Sequence, residues 1–153
     1  MEKCTGAGII LYVDNRGIEE ISNPDYDKDI LYFFLEREDG QLDFPKGGID
    51  EGEKSPLDCA VRETKEESNL KPLDYDLLDP ENTFLECGEG LILFLGKLHM
   101  HSIKHAKVLR NEKTLEFEHK EDGCRYLTKK KAEKNLLDYL KIGLNWADKI
   151  IQN

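Results

Sequence analysis

The sequence lacks the marks of a membrane protein, a disulfide scaffold or a serine hydrolase. It has no apolar run of the ~18 residues that a membrane-spanning helix needs. Its 4 cysteines stand far apart and form no C-x-x-C pair. The N-terminal residues carry no export signal, so we expect reduced thiols in a cytoplasmic protein. The nucleophile motif G-x-S-x-G is also missing.

The sequence also has fewer basic than acidic residues. The 153 residues include 22 lysines and arginines against 32 aspartates and glutamates, a formal net charge of −10. A broad nucleic-acid-binding surface needs clustered lysine and arginine, so this balance argues against one. It leaves a polyanionic substrate open, because metal ions can supply positive charge locally. The length fits one domain, which we place at residues 1–153.

The order of apolar and polar segments predicts an α+β fold, with helices packed on a mixed sheet. Polar segments at 15–29 and 101–114 are predicted connections. The predicted strands are 6–13, 30–37, a hairpin of 82–87 with 91–100, and short strands in "LEFEH" and "CRYL". The predicted helices are 56–68 and 129–151, the second because leucines recur in it at helical spacing.

The boundaries of the first helix have clear local signals. Ser55 is a good N-cap, Pro56 suits the first helical position, and Asp58 completes an S-x-x-D capping pattern. Asn69 tolerates the left-handed conformation that ends many helices. These residues predict a helix over 56–68.

The acidic run "RETKEE" lies on this helix and needs a reason. Like charges at i,i+3 and i,i+4 cost roughly 0.2–0.5 kcal/mol per pair. A helical wheel places Glu63 and Glu67 beside the apolar face, with Glu66 further out. Clustered carboxylates without matching cations are typical of a bound metal ion or a shared proton, and oxygen ligands favour Mg²⁺. The alternative is a solvated helix face.

The preceding loop, "FPKGGIDEG", is rich in glycine. Glycines let the backbone approach a ligand closely, and Lys46 is suited to contact a phosphate. A glycine-rich loop that leads into a carboxylate helix is typical of sites where metal ions bridge a phosphate chain and activate water.

Residues Phe44 to Leu70 resemble the Nudix box, G-x5-E-x7-R-E-U-x-E-E-x-G-U, of the Nudix hydrolase family, where U is a bulky apolar residue. The matching positions are Gly47, Glu53, Arg62, Glu63, Glu66 and Glu67. This sequence departs from the pattern in three ways: eight residues separate Glu53 from Arg62, Thr64 replaces an apolar residue, and Asn69 replaces a glycine. The resemblance implies an α/β/α sandwich with a mixed sheet between helices.

The resemblance also implies a role for each residue of the box. The ligands of Mg²⁺ or Mn²⁺ would be the Gly47 carbonyl and the carboxylates of Glu63, Glu66 and Glu67. Arg62 would pair with Glu53 and hold the loop to the helix. Lys46 and Gly48 would bind substrate. The general base would be a helix glutamate or an acid from a later loop, where we prefer Glu118 over Glu116 and Glu121.

The family's chemistry implies cleavage of a pyrophosphate bond in a nucleoside diphosphate linked to another group. We favour a small nucleotide such as diadenosine tetraphosphate, because the net charge of −10 weakens the readings in which the partner is the 5′ end of RNA. Those readings are messenger-RNA decapping and 5′-RNA pyrophosphohydrolysis. A diphosphoinositol polyphosphate hydrolase and a catalytically silent nucleotide-binding module are further alternatives. Tyr12, Phe33 or Tyr126 could stack on a base, with core packing as the alternative for each.

Overall fold

The computed structural model describes residues 3–16, 29–99, 109–111, 116–119 and 123–153. Within these ranges there are three α-helices: α1 (Pro56–Ser68), α2 (Lys129–Ala132) and α3 (Lys141–Gln152). Short 3₁₀ turns cover Pro72–Asp74 and Asp138–Leu140. The strands are β1 (Gly6–Asp14), β2 (Ile30–Glu36), β3 (Leu42–Asp43), β4 (Lys46–Gly48), β5 (Tyr75–Leu77), β6 (Phe84–Glu86), β7 (Leu91–Leu98), β8 (Leu109–Asn111), β9 (Glu116–His119) and β10 (Cys124–Leu127). Much of the predicted connections 15–29 and 101–114, and Glu121, lie outside the described residues.

All ten described strands belong to one mixed sheet. Its main order is β5-β7-β1-β2-β10-β9-β8, while β3 pairs with β2, β4 with β1, and β6 with β7. The central β1 runs parallel to β7 and antiparallel to β2 and β4. The sheet is therefore mixed, as the sequence predicted.

Both faces of the sheet are covered by helices. Along β1, Ile9 and Leu11 pack in one apolar cluster with residues of α1, whereas Ile10 and Tyr12 pack in a second cluster with residues of α2 and α3. Alternate side chains of a strand point to opposite faces, so β1 supplies the centre of both cores. This arrangement confirms the α/β/α sandwich. Among the described residues, no helix has the length and apolar character to cross a bilayer.

Helix α1 begins and ends where the local signals predicted. The Ser55 hydroxyl accepts a hydrogen bond of 3.1 Å from the Asp58 amide. Asn69 adopts a left-handed conformation (φ 62°) and its amide donates to the Lys65 carbonyl. Ala60 and Thr64 lie on the buried side of the helix and are fully buried. The capped helix fixes the position of its acidic edge, which consists of Glu63, Glu66 and Glu67.

The prediction of one continuous helix over 129–151 is wrong. The helix ends after α2 because the next residues form backbone hydrogen bonds with Leu42 of β3. The Leu42 amide donates to the Asn135 carbonyl, and the Leu137 amide donates to the Leu42 carbonyl. The 3₁₀ turn Asp138–Leu140 then leads into α3. The regularly spaced leucines still face the core across this break, since Leu136, Leu140 and Leu144 are all buried.

The strand predictions need smaller corrections. The hairpin strands are shorter than predicted, 84–86 and 91–98, and the sequence analysis missed the short strands β3, β4 and β5. The hypothesis that Tyr12, Phe33 or Tyr126 stacks on a base is wrong, because the three side chains are only 6%, 2% and 1% exposed. They pack in the core, which was the alternative.

Candidate active site

Strand β4 brings the glycine-rich loop onto the sheet directly beside α1. Its residues pair with β1 in the register Gly6 to Gly48 and Gly8 to Lys46. A Cβ atom at Gly6 would lie 2.6 Å from the Gly47 carbonyl oxygen, so a glycine is needed there for the two strands to approach. The pairing fixes the backbone of residues 46–48 next to the acidic edge of the helix.

Arg62 is the centre of the polar contacts between the loop and α1. Its Nη2 donates to the Gly48 carbonyl at 2.8 Å and to Glu53 Oε1 at 2.9 Å, and its Nε donates to Glu53 Oε2 at 3.1 Å. Asp50 adds an ion pair of 3.3 Å. The pairing of Arg62 with Glu53 that the family resemblance implied is present, and it is bidentate, despite the additional residue between them.

Glu53 is itself fixed within the loop. Its Oε1 accepts the Asp50 amide at 2.7 Å, and its side chain is only 13% exposed. The hydrogen bonds from Arg62, followed by the one from the Asp50 amide, lower the pKa of Glu53 below its ordinary value. The same pairing raises the pKa of Arg62, so both groups stay charged.

Arg62 also contacts the acidic edge. Its Nη1 donates to Glu63 Oε1 at 2.9 Å and to Glu66 Oε2 at 3.1 Å. The Glu63 side chain is 15% exposed and that of Glu66 is 57% exposed. Arg62 therefore acts as an internal cation for two of the carboxylates predicted to bind metal.

Glu63 lies directly against the backbone of β4. A Cβ atom at Gly47 would overlap the Glu63 carboxylate, so any other residue here would displace that carboxylate. The Gly47 carbonyl accepts a weak hydrogen bond of 3.5 Å from the Cys59 thiol. The first glycine of the motif, Gly47, and its second glutamate, Glu63, are therefore in direct contact.

Glu67 also faces β4. Its Oε1 accepts the Lys46 amide at 2.8 Å. Although the side chain as a whole is exposed, partial burial of the carboxylate raises the pKa of Glu67, and the negative charge of Glu63 adds to this effect. Glu63 and Glu67 therefore both contact β4, whereas Glu66 faces solvent.

The donor chemistry of this edge fits a hard divalent cation. Carboxylate and carbonyl oxygens are the ligands that Mg²⁺ and Mn²⁺ prefer. Within the described ranges, no three acidic, histidine or cysteine side chains are already arranged as an ion cage, because Arg62 Nη1 holds Glu63 and Glu66. If these two carboxylates turn to an ion, Arg62 keeps its bonds to Glu53 and Gly48.

A cleft of about 660 Å³ opens beside this edge. Its lining includes Lys46, Gly47, Gly48, Cys87 and Tyr139. The Lys46 ammonium lies 3.4 Å from Asp43 and 5.5 Å from the centre of the Tyr139 ring. Burial works to lower the pKa of Lys46, but the Tyr139 hydroxyl and the Asp43 carboxylate raise it overall, so the lysine stays charged.

The sequence analysis missed Tyr139. It assigned this residue to a continuous helix, in which its only signal was a large aromatic side chain off the apolar stripe. The structure places it instead on the 3₁₀ turn at the cleft, with 52% of its surface exposed.

Glu118 is the acid that the sequence analysis preferred from the later loop. It lies on β9, where its register partner on β10 is Arg125. In the sheet order β9 is separated from β1 by β2 and β10. Its role as general base stays a prediction.

Comparison with known proteins identifies the family. The NUDIX domain model matches residues 18–142. Similar solved structures include C. elegans Ap4A hydrolase, with 20% identity and a TM-score of 0.62 over 98% of this chain and 99% of that chain. A mutT/nudix family protein from Listeria innocua has 14% identity and a TM-score of 0.63 over 99% and 96% of the two chains.

A third similar structure is the NUDIX domain of Shewanella oneidensis NrtR complexed with ADP ribose. It has 11% identity and a TM-score of 0.54 over 99% of this chain and 90% of that chain. Identities this low show a shared fold alone. No curated protein matches the chain.

Proposed function

The chain belongs to the NUDIX domain family, and we propose that it hydrolyses a pyrophosphate bond in a nucleoside diphosphate linked to another group. The observation that carries this proposal is the contact of Glu63 and Glu67 with the glycine strand, beside a loop fixed by Arg62 and Glu53. This places the acidic edge next to β4, whose residues Lys46, Gly47 and Gly48 line the cleft. The proposed substrate is a dinucleoside polyphosphate such as diadenosine tetraphosphate.

Members of the family generally use divalent metal ions. In this chain Glu63, Glu66 and Glu67 would hold Mg²⁺ or Mn²⁺, with the Gly47 carbonyl as a further ligand. When bound, such an ion neutralises phosphate charge and lowers the pKa of water. Three carboxylates then have a cation to neutralise them, which accounts for their crowding on α1.

The protein's own residues would orient the substrate and move the proton. Lys46 contributes a fixed positive charge to the cleft and is suited to hold a phosphate oxygen. A helix glutamate would serve as the general base, and Glu67, whose carboxylate accepts the Lys46 amide, is the candidate. Arg62 and Glu53 would act as positioning residues, because they hold the loop against the helix. Glu118 is the alternative base.

Three observations support a small nucleotide over a long RNA. The net charge of −10 disfavours an extended phosphate-binding surface. The likeness to C. elegans Ap4A hydrolase extends over nearly the full length of both chains, although it shows the fold alone. A cleft of about 660 Å³ lies within the size range of sites for small ligands, ~300–1,000 Å³.

The experiment is a hydrolysis panel with Mg²⁺, repeated with excess chelator. The substrates are diadenosine tetraphosphate, ADP-ribose, capped RNA, 5′-triphosphate RNA and a diphosphoinositol polyphosphate. We expect the highest kcat/KM for the dinucleotide and no turnover with chelator. A preference for capped RNA would overturn the substrate, and no hydrolysis of any compound would favour the silent binding module.

Substitution of Glu67 tests the acidic edge within the same panel. Glu67→Gln should lower kcat about 10²–10⁴-fold, the usual contribution of a positioned acid or base. The amide oxygen can still accept from Lys46, so the thermal unfolding midpoint should not fall. Glu51→Gln, an exposed loop glutamate, is the matched control and should keep full activity. Equal rates for both variants would contradict the assignment.

A further inference from the structure

Tyr139 is held at the cleft by its own turn. Its neighbour Leu140 is fully buried and Leu136 is 2% exposed. The Tyr139 carbonyl also accepts a hydrogen bond of 3.3 Å from the Cys87 thiol, across the cleft lining. The backbone is therefore anchored from both sides, while the ring stays 52% exposed.

The ring lies next to the charged groups of the proposed site. Lys46 Nζ lies 5.5 Å from its centre, in the range of a cation–π contact. The amide of the same lysine donates to Glu67, and the next residue, Gly47, contacts Glu63. Lys46 therefore connects the acidic edge, through its amide, with the aromatic ring at the cleft, through its ammonium.

Among the described residues, three other large apolar side chains are exposed: Leu73, Phe84 and Ile142. Phe84 is the only aromatic one of the three, and it lines a separate cleft of about 340 Å³ with Pro56 and Leu57. Lys46 and Gly47 do not line that cleft. Of the exposed large side chains that the structure describes, Tyr139 is the one with a ring next to Lys46.

We propose that Tyr139 is the platform on which a nucleobase of the substrate stacks, while Lys46 holds the adjoining phosphate. This inference rests on the proposed function and makes it more specific. A flat aromatic ring one lysine away from the acidic edge suits a ligand with a base at one end and a diphosphate at the other. It does not suit an inositol ring, which has no π-face to stack.

The test compares two probes that differ only in the nucleoside: adenosine 5′-(α,β-methylene)diphosphate and methylenediphosphonate, neither of which can be hydrolysed at the bridging carbon. Calorimetric titration of the full chain with Mg²⁺ gives both dissociation constants. Tyr139→Ala should weaken the nucleotide about tenfold or more, because base–aromatic stacking is worth that much. It should weaken methylenediphosphonate much less, because Lys46 keeps its ion pair with Asp43. Tyr139→Phe should keep the nucleotide affinity, and Tyr139→Leu should lose it.

Ile142→Ala is the matched control. This side chain is 58% exposed, lies three residues further on, and does not line the cleft, so both affinities should stay at the wild-type values. If Tyr139→Ala does not fold, Tyr139→Leu provides the same test with more apolar bulk. The inference is overturned if both probes weaken equally, if neither weakens, or if the wild-type protein does not prefer the nucleotide.

The outcome is separable from that of the proposed function. If nucleotide binding depends on Tyr139 but no pyrophosphate is hydrolysed, the proposed activity fails and the stacking role stands. If diadenosine tetraphosphate is hydrolysed while Tyr139→Ala binds the nucleotide normally, the stacking role alone fails.

Discussion

At the scale of single residues, Arg62 explains how the chain tolerates its own acidic run. Two of its nitrogens hold the loop through Glu53 and the Gly48 carbonyl. The third neutralises Glu63 and Glu66. The repulsion between helix carboxylates is thus offset within the protein, and a bound cation would take over that part of the role from Arg62.

The pairing of Glu53 with Arg62 predicts a specific pH dependence. The folded-state pKa of Glu53 is lowered by Arg62, so its contribution to stability is present above the ordinary carboxyl pKa and is lost as the pH falls through the lowered value. Glu53→Gln should therefore lower the urea midpoint at about pH 7 and lower it less at about pH 3. Urea unfolding in the presence of chelator measures both midpoints.

Glu51→Gln serves again as the control, because Glu51 is exposed in the same loop. Its midpoint should follow that of the wild-type protein at both pH values. An equal loss of stability for Glu53→Gln at both pH values would show that the ion pair does not carry the effect.

The residue scale also shows what the sequence could and could not predict. The pairing of Arg62 with Glu53 was predictable, because both belong to a spaced motif whose partners are fixed by the family resemblance. Tyr139 was not, because its position depends on a backbone pairing with Leu42, which is nearly a hundred residues away in the sequence.

At the scale of secondary-structure elements, the contact between β4 and α1 depends on Gly47. A methyl group there would meet the Glu63 carboxylate, which is the mobile end of a flexible side chain. Gly47→Ala should therefore fold, but with Glu63 displaced. We expect Mn²⁺ binding to weaken about 10–100-fold, the range seen when groups that orient metal ligands are changed. Electron paramagnetic resonance of free Mn²⁺ measures the affinity.

Gly48→Ala is the matched comparison for Gly47→Ala. A Cβ atom at Gly48 would meet only the Thr5 carbonyl, at 3.9 Å, so Mn²⁺ affinity should stay near the wild-type value. If both alanine variants bind Mn²⁺ normally, the packing of Glu63 on Gly47 has no part in ion binding.

The N-cap of α1 gives a second prediction at this scale. Ser55→Ala removes the acceptor for the Asp58 amide and should lower the free energy of unfolding by about 1 kcal/mol. Ser55→Asp, which can also cap, should keep most of the stability. Urea unfolding followed by circular dichroism measures both. No difference between the two variants would show that the cap contributes little.

The two helical regions also show where local signals suffice. The ends of α1 were predicted correctly because the cap, the proline and the left-handed Asn69 are all local. The interruption after α2 was missed because the leucine spacing continues through it, and the hydrogen bonds that cause it come from β3.

At the scale of the whole molecule, the sandwich could be predicted in outline. Apolar runs and the motif indicated a mixed sheet between helices, and β1 does contribute to cores on both faces. The cleft could not be predicted, because it is assembled from β4, the turn at Cys87 and the turn at Tyr139. Only the order of strands in the sheet brings these three segments together.

The most direct test of the central claim is anomalous diffraction at the manganese edge from crystals of this protein soaked in Mn²⁺. The account predicts anomalous density bridging the carboxylates of Glu63, Glu66 and Glu67, with Arg62 still bonded to Glu53. A well-ordered map without manganese at this edge, in which Arg62 continues to hold Glu63 and Glu66, would contradict it.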